Sequence, residues 1–227
     1  MSDLPGFRRA DERDIVAATD TITSAFAADP VWGRVFGLTT GPGGSGREGE
    51  LDTYRSWWRL FVETAVTYDW VWVTQACEAV AVWIPPGCPE FGPEQEKRAE
   101  LLIDTLPAPD QRYLHQTLEL FEAAPPEAPH FYLSLLGTHR DHRGRGIGMA
   151  LLNHTLAELD ADGHAAYLES TNPANLDRYR SVGFTDLGGF SLPDDGPYVT
   201  TMWRPGQHDH DSTRLDRPVT TTGAEER

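Results

Sequence analysis

The spacing of apolar residues divides the chain into short strands and amphipathic helices. Residues 6–10 read as a short strand. From about Glu12 the residues Ile15, Val16, Ile22 and Phe26 share a helical face, and Asp29-Pro30 ends that helix, because a residue before proline is pushed out of the helical region. Val31 to Leu38 is apolar and aromatic, and Leu51 to Val66 predicts a helix burying Trp57, Trp58, Phe61 and Val62. Trp70 to Thr74 and Ala79 to Ile84 are β-rich runs joined by a short turn, the pattern of a hairpin stopped at Pro85-Pro86-Gly87. Residues 93–123 predict two helices broken at Pro107-Ala108-Pro109, and Pro125, Pro126 and Pro129 mark a connecting segment.

Strand and helix then alternate. His130 to Thr138 reads as a strand, Gly146 to Asp160 as a helix, Ala165 to Ser170 as a strand and Pro173 to Ser181 as a short helix, followed by strands near 184–191 and 197–204. Two segments lack periodicity. Thr39 to Gly49 carries the run Gly41-Pro42-Gly43-Gly44-Ser45-Gly46 and reads as a flexible loop, with no Gly-Lys-Ser for a phosphate loop. Gly206 to Arg227 reads as a polar tail, so residues 1–205 are expected to form one domain and 206–227 its appendage. His208-Asp209-His210 in that tail is not preorganised for a metal, and none is expected.

Composition narrows the function. The 227 residues carry 19 Lys and Arg against 35 Asp and Glu, a formal charge of −16, which disfavours nucleic acid and anionic membrane surfaces and suits a cationic partner. Cys77 and Cys88 are too few for a disulfide framework, Met1 to Pro5 shows no basic region leading into an apolar run, and no stretch is long and apolar enough for a membrane span. A cytoplasmic protein is expected.

The candidate chemistry lies between Leu133 and Phe184. A strand ending at Thr138 leads into His139-Arg-Asp-His-Arg-Gly-Arg-Gly-Ile-Gly148 and then into a helix whose apolar positions are Ile147, Leu151, Leu152, Leu156 and Leu159. The first N–H groups of a helix have no internal partner and point at whatever precedes them, so this turn suits an anion. Gly144, Gly146 and Gly148 permit close backbone approach, and Arg143 and Arg145 add charge. Downstream, Asn172 suits an N-cap, Pro173 the first helical position and Gly183 the left-handed residue after the helix, while Asn175 and Tyr179 share a face.

Arg143-x-x-Gly146-x-Gly148 resembles the pyrophosphate motif of the GNAT superfamily of acetyl-CoA-dependent N-acetyltransferases, and Asn175-x-x-x-Tyr179-x-x-x-Gly183-Phe184 resembles its second signature. Within the superfamily the likeness is to the puromycin N-acetyltransferase-like group, from Arg9 to Pro205 apart from residues 39–50. It includes Ala25-Phe26-Ala27, Val71-Trp72-Val73, Tyr167-Leu168-Glu169 and Met202, but departs at Asp29, near the acceptor site.

The resemblance implies an α+β fold of three αβα layers. Its mixed, mostly antiparallel sheet would contain two parallel strands, ending near Thr138 and Ser170, that splay apart. It implies acetyl-CoA as cosubstrate, with the pantetheine against Leu136, Gly137 and Thr138, the pyrophosphate on Arg143, Gly144, Arg145, Gly146, Ile147 and Gly148, and Asn175 and Tyr179 beside it. Tyr179 would act on the leaving thiolate, with core packing as its bland alternative.

For the general base, Glu169 is the first candidate and Asp29 the second. A base is needed because a lysine-like amine of pKa about 10.4 is only about 0.04% neutral at pH 7. The implied acceptor is the primary amine of a small, cationic molecule, with an amine-bearing antibiotic as one setting and a monomer or homodimer as the assembly. A protein or peptide acetyltransferase and a non-catalytic CoA-binding module are the alternatives. His130, His139, His142 and His154 read as structural or surface residues, and Trp32, Trp57, Trp58 and Trp83 as core or pocket wall.

Overall fold

The computed structural model describes residues 5–36 and 48–206; the glycine-rich run at 41–46 and the tail histidines 208 and 210 lie outside them. Strand β1 (Phe7–Arg9) leads through a turn at Glu12–Asp14 into α1 (Ile15–Phe26), then α2 (Trp32–Val35), α3 (Glu48–Thr67), β2 (Val71–Thr74) and β3 (Ala79–Ile84). Helices α4 (Pro93–Ile103) and α5 (Ala108–Ala123) precede β4 (Phe131–Thr138), α6 (Ile147–Ala161), β5 (Ala166–Ser170), α7 (Leu176–Arg180), β6 (Thr185–Ser191) and β7 (Tyr198–Arg204). The caps follow the local chemistry. Asp11 accepts from Arg13 and receives the Asp14 carboxylate at its own N–H, closing a capping box before α1. Asn172 accepts from the Ala174 N–H and caps the turn Pro173–Asn175.

The seven strands form one sheet in the order β1-β2-β3-β4-β5-β7-β6. Every pairing is antiparallel except that of β4 with β5. Two cores cover its faces. On one face α3 buries Tyr54, Trp57, Trp58, Phe61, Val62 and Ala65 with Ile22 of α1 and Leu114 of α5. These α3 positions recur every three or four residues, so they form a single stripe. On the other face α6 buries Ile147, Leu151, Leu152, Leu156 and Leu159 against Phe131, Leu133, Ala166 and Leu168. Val16, placed by its spacing on the buried face of α1, is 51% exposed instead, since the sheet-facing stripe of that helix runs through Ala18, Thr19 and Ile22.

Strand β4 carries the two irregularities that make the site. Its register against β3 shifts between Leu133 and Leu135, leaving Ser134 without a partner in β3. The bulge reverses the side-chain alternation, so that Leu133 enters the α6 core while Leu135 enters the α3 core. On its other edge β4 pairs with β5 only at Phe131↔Ala166 and Tyr132↔Tyr167. Beyond that level the strands part, and the β4 edge from Leu133 to Thr138 faces a gap. Gly137 lets α1 lie close over this segment, because a Cβ there would stand 2.9 Å from both Ala25 Cβ and Ile22 Cδ1.

Candidate active site

A cavity of about 630 Å³ runs through the gap between β4 and β5. At one end it is bordered by Leu136, Thr138, Arg143, Gly144, Gly146, Ile147 and Gly148; at the other by Asp29, Trp58, Phe61, Glu90, Tyr132 and Glu169; Asn175 and Tyr179 lie along its wall. The structure thus brings most of the sequence-predicted residues to one space. Gly137 and Arg145 do not border it: Gly137 faces α1, and the Arg145 guanidinium lies 3.1 Å from His142 Nδ1.

The glycine-rich end presents backbone. Gly146 occupies the N-cap of α6 with φ 75° and no capping side chain, and Gly144 has φ 77°. A Cβ on either would meet no atom within 4 Å, whereas one on Gly148 would stand 2.5 Å from Thr138 Oγ1. The leading N–H groups of α6 therefore face the cavity without a cap, the arrangement that suits a pyrophosphate. Arg143 borders the cavity and also makes contacts within the protein. Its guanidinium donates to the Ala25 carbonyl at 2.6 Å and the Ser24 carbonyl at 3.5 Å, fastening the C-terminus of α1 to the turn, while Arg140 N–H donates to Ser24 Oγ at 3.2 Å. The open β4 edge, the uncapped helix start and the two glycines of the turn would fit acetyl-CoA: Leu136 and Thr138 could hold its pantetheine arm and residues 144–148 its phosphates.

The other end is acidic. Glu169 extends from β5 on the face opposite Leu168. Both its carboxylate oxygens are sealed from solvent and carry no cationic partner among the described residues; the Tyr132 and Tyr167 hydroxyls are the polar groups beside them. Burial pushes its pKa up to about 8, the neighbouring phenols oppose that rise, and the Glu90 charge adds to it. Glu90, in the segment between β3 and α4, accepts a hydrogen bond from the Ser134 hydroxyl at the β4 bulge, and burial lifts its pKa to about 7. Sequence reasoning did not single out Glu90.

Asp29 borders the same cavity with its acceptor capacity in use. Its Oδ1 accepts from the Val31 N–H at 2.9 Å and the Trp32 N–H at 3.1 Å, capping α2, and its Oδ2 accepts from the Thr171 hydroxyl at 2.6 Å. Burial raises its pKa and these three bonds hold the rise back. Tyr179 is half-buried, its ring edge-on to Phe184 with centroids 6.2 Å apart, and burial pushes its hydroxyl up to about 12. Asn175 makes no capping bond to α7; its side-chain oxygen accepts from Arg178 at 3.2 Å. Trp32 and Trp58 serve as pocket wall, whereas Trp57 and Trp83 are fully buried in the cores. His142 borders the cavity, His130 packs on Tyr167 and Trp203, and His154 packs on Phe7 and Trp72. Among the described residues no three His, Cys, Asp or Glu side chains gather as a metal site needs, and no helix is long and apolar enough to cross a membrane.

Comparison with known proteins agrees with this geometry. Residues 111–184 match the model of the acetyltransferase (GNAT) family. A solved structure described as histone acetyltransferase HPA2 and related acetyltransferase from Corynebacterium glutamicum is 26% identical, with a TM-score of 0.64 over 90% of this chain and 97% of that one. An agmatine N-acetyltransferase mutant in its apo form is 15% identical, with a TM-score of 0.59 over 89% of this chain and 100% of that one. The polyamine N-acetyltransferase of Drosophila melanogaster is 15% identical, with a TM-score of 0.54 over 88% of this chain and 99% of that one. Fold, splayed strands and the match over residues 111–184 together make the chain similar to acetyltransferases of the GNAT family, whose fold uses acetyl-CoA.

Proposed function

We propose that the protein transfers an acetyl group from acetyl-CoA to the primary amine of a small cationic molecule, with Glu169 as general base and Tyr179 as hydrogen-bond donor to the departing sulfur. One observation carries this reading: the buried Glu169 carboxylate, with tyrosine hydroxyls but no cation of the described residues beside it, on the cavity formed where β4 and β5 part. Acetyl-CoA supplies an activated acyl carbon, so the protein must deprotonate the amine and stabilise the thiolate. With a pKa of about 8, Glu169 is a far better proton acceptor than an exposed carboxylate and still ionises near neutral pH. It takes the proton that the amine loses as the C–N bond forms and the C–S bond breaks.

Tyr179 faces the opposite task. A thiol pKa near 8.5 lies some 3.5 units below a phenol at about 12, so full proton transfer from Tyr179 to sulfur would run uphill by ~5 kcal/mol. Its hydroxyl therefore acts by donating a hydrogen bond to the thiolate, and the net proton leaves through Glu169. Asn175 and the uncapped start of α6 orient the cosubstrate along the gap. The apolar wall of Phe26, Trp32, Trp58 and Phe61 excludes water and gives an ammonium aromatic faces to lie against.

An amine-bearing antibiotic falls within this acceptor class alongside metabolic amines. Thiol release from acetyl-CoA across polyamines, amino acids, aminoglycosides, aminoacyl nucleosides and lysine peptides tests the reading. Release with small cationic amines, reduced in Tyr179→Phe, is expected. Release confined to lysine peptides, or with no amine at all, would overturn it.

A further inference from the structure

Glu90 stands apart from the transfer chemistry assigned above. It belongs to the segment linking β3 to α4 and is held there from both sides. The next residue, Phe91, packs its ring on Phe61 with centroids 4.5 Å apart and on Trp57 at 5.9 Å, and the Tyr68 hydroxyl donates to the Pro89 carbonyl at 3.1 Å. Ser134, freed from the β3 ladder by the bulge, donates to the Glu90 carboxylate. Among the described residues no arginine, lysine or histidine pairs with Glu90 or with Glu169.

The register places the two carboxylates on one space. Tyr132 and Tyr167 are the last paired residues of β4 and β5. Ser134, which holds Glu90, and Glu169 each lie two residues beyond that pair, on opposite lips of the gap. Both charges act on the Tyr132 phenol between them, holding its pKa well above the ordinary value after burial itself. A buried carboxylate with no internal countercharge is costly, and a cation that enters beside it removes that cost. A monoamine brings one nitrogen to this pair of acids, and that nitrogen gives up its proton to Glu169 to react. Glu90 is then left facing an apolar wall with only the Ser134 hydroxyl.

We propose that Glu90 is a specificity-determining residue that binds a second cationic nitrogen of the acceptor, so that the substrates are small diamines whose apolar spacer lies against Trp58 and Phe61. This inference rests on the transferase reading above and adds to it the number and placement of charges on the acceptor. Ser134 is the positioning residue, since it acts only through Glu90.

The test compares acceptors of equal length with acetyl-CoA: putrescine against butylamine and γ-aminobutyrate, and cadaverine against pentylamine. The wild-type protein is expected to favour the better diamine over its monoamine by about 30-fold or more in kcat/KM, as loss of a buried charge partner implies, and to reject γ-aminobutyrate. In Glu90→Gln, which keeps the shape and the acceptor for Ser134, the diamine-to-monoamine ratio should fall to within about threefold and the bar on γ-aminobutyrate should relax. The wild-type ratios stand as a test even if that variant does not fold. Equal use of monoamine and diamine by the wild type, or an unchanged ratio in Glu90→Gln, overturns this inference while leaving the transferase reading intact. Acetylation of none of these amines, while another small cationic amine of the wider panel is acetylated, overturns this inference alone; release with no amine of that panel overturns both.

Discussion

The two ends of the cavity are built from opposite materials. The end proposed for the cosubstrate is made largely of backbone: an uncapped helix start, two left-handed glycines and the open edge of β4, with Arg143 beside it fastening α1. The end proposed for the acceptor is made of side chains from distant segments: Asp29 after α1, Trp58 and Phe61 on α3, Glu90 before α4, and Tyr132 and Glu169 on the two parting strands. Backbone dipoles bind phosphate without regard to what the rest of the ligand is, which suits a constant cosubstrate. Buried carboxylates are costly alone and gain by meeting a cation, which suits selection of one acceptor among many.

If that contrast holds, replacing the buried acid should have the largest effect. Glu169→Gln is expected to lower kcat/KM for the amine by about 100- to 10,000-fold in steady-state assays, the usual range for a positioned base. The cosubstrate end should be sensitive to side chains that intrude rather than to side chains that are removed. Gly148→Val, whose Cβ would stand 2.5 Å from Thr138 Oγ1, is expected to lower kcat/KM for acetyl-CoA by roughly 100-fold, the cost of a misplaced cosubstrate.

Tyr179→Phe removes one hydrogen bond to a thiolate. Kinetics at saturating substrates should show kcat reduced about 10- to 100-fold, as a hydrogen bond to a charged group implies. Asp29 should behave as a structural acid. Loss of its cap on α2 and its bond to Thr171 in Asp29→Ala should cost about 2 kcal/mol of stability, read from urea unfolding. A stability change well below that would return Asp29 to the list of candidate bases.

The same contrast explains what was legible in the sequence. The turn from Arg143 to Gly148 is contiguous, and its glycines are needed for local reasons that a sequence displays. The alternation of strands and helices was readable too, with element boundaries close to those observed, because each core face is a simple stripe or a buried run. Glu90 was not readable. Its carboxylate meets the cavity only because a one-residue shift at Ser134 turns that hydroxyl toward it and because Phe91 pins its segment on α3. Neither fact belongs to the eight residues around Glu90. Arg143 showed only part of its surroundings there: its charge suggested a phosphate, while the carbonyls it also meets lie more than a hundred residues earlier in the chain.

The central claim is that a buried Glu169 accepts the proton from the amine at the parting of β4 and β5. The pH dependence of kcat/KM for the amine tests it most directly, measured in the wild type and in Glu169→Gln. The wild type should show a break near pH 8, below which the rate falls more steeply as Glu169 becomes protonated. Glu169→Gln should lose that break and keep only the amine's own titration near pH 10, an approximate value for an alkylammonium group. A break near pH 8 that persists in Glu169→Gln would assign the proton to another group and contradict the account.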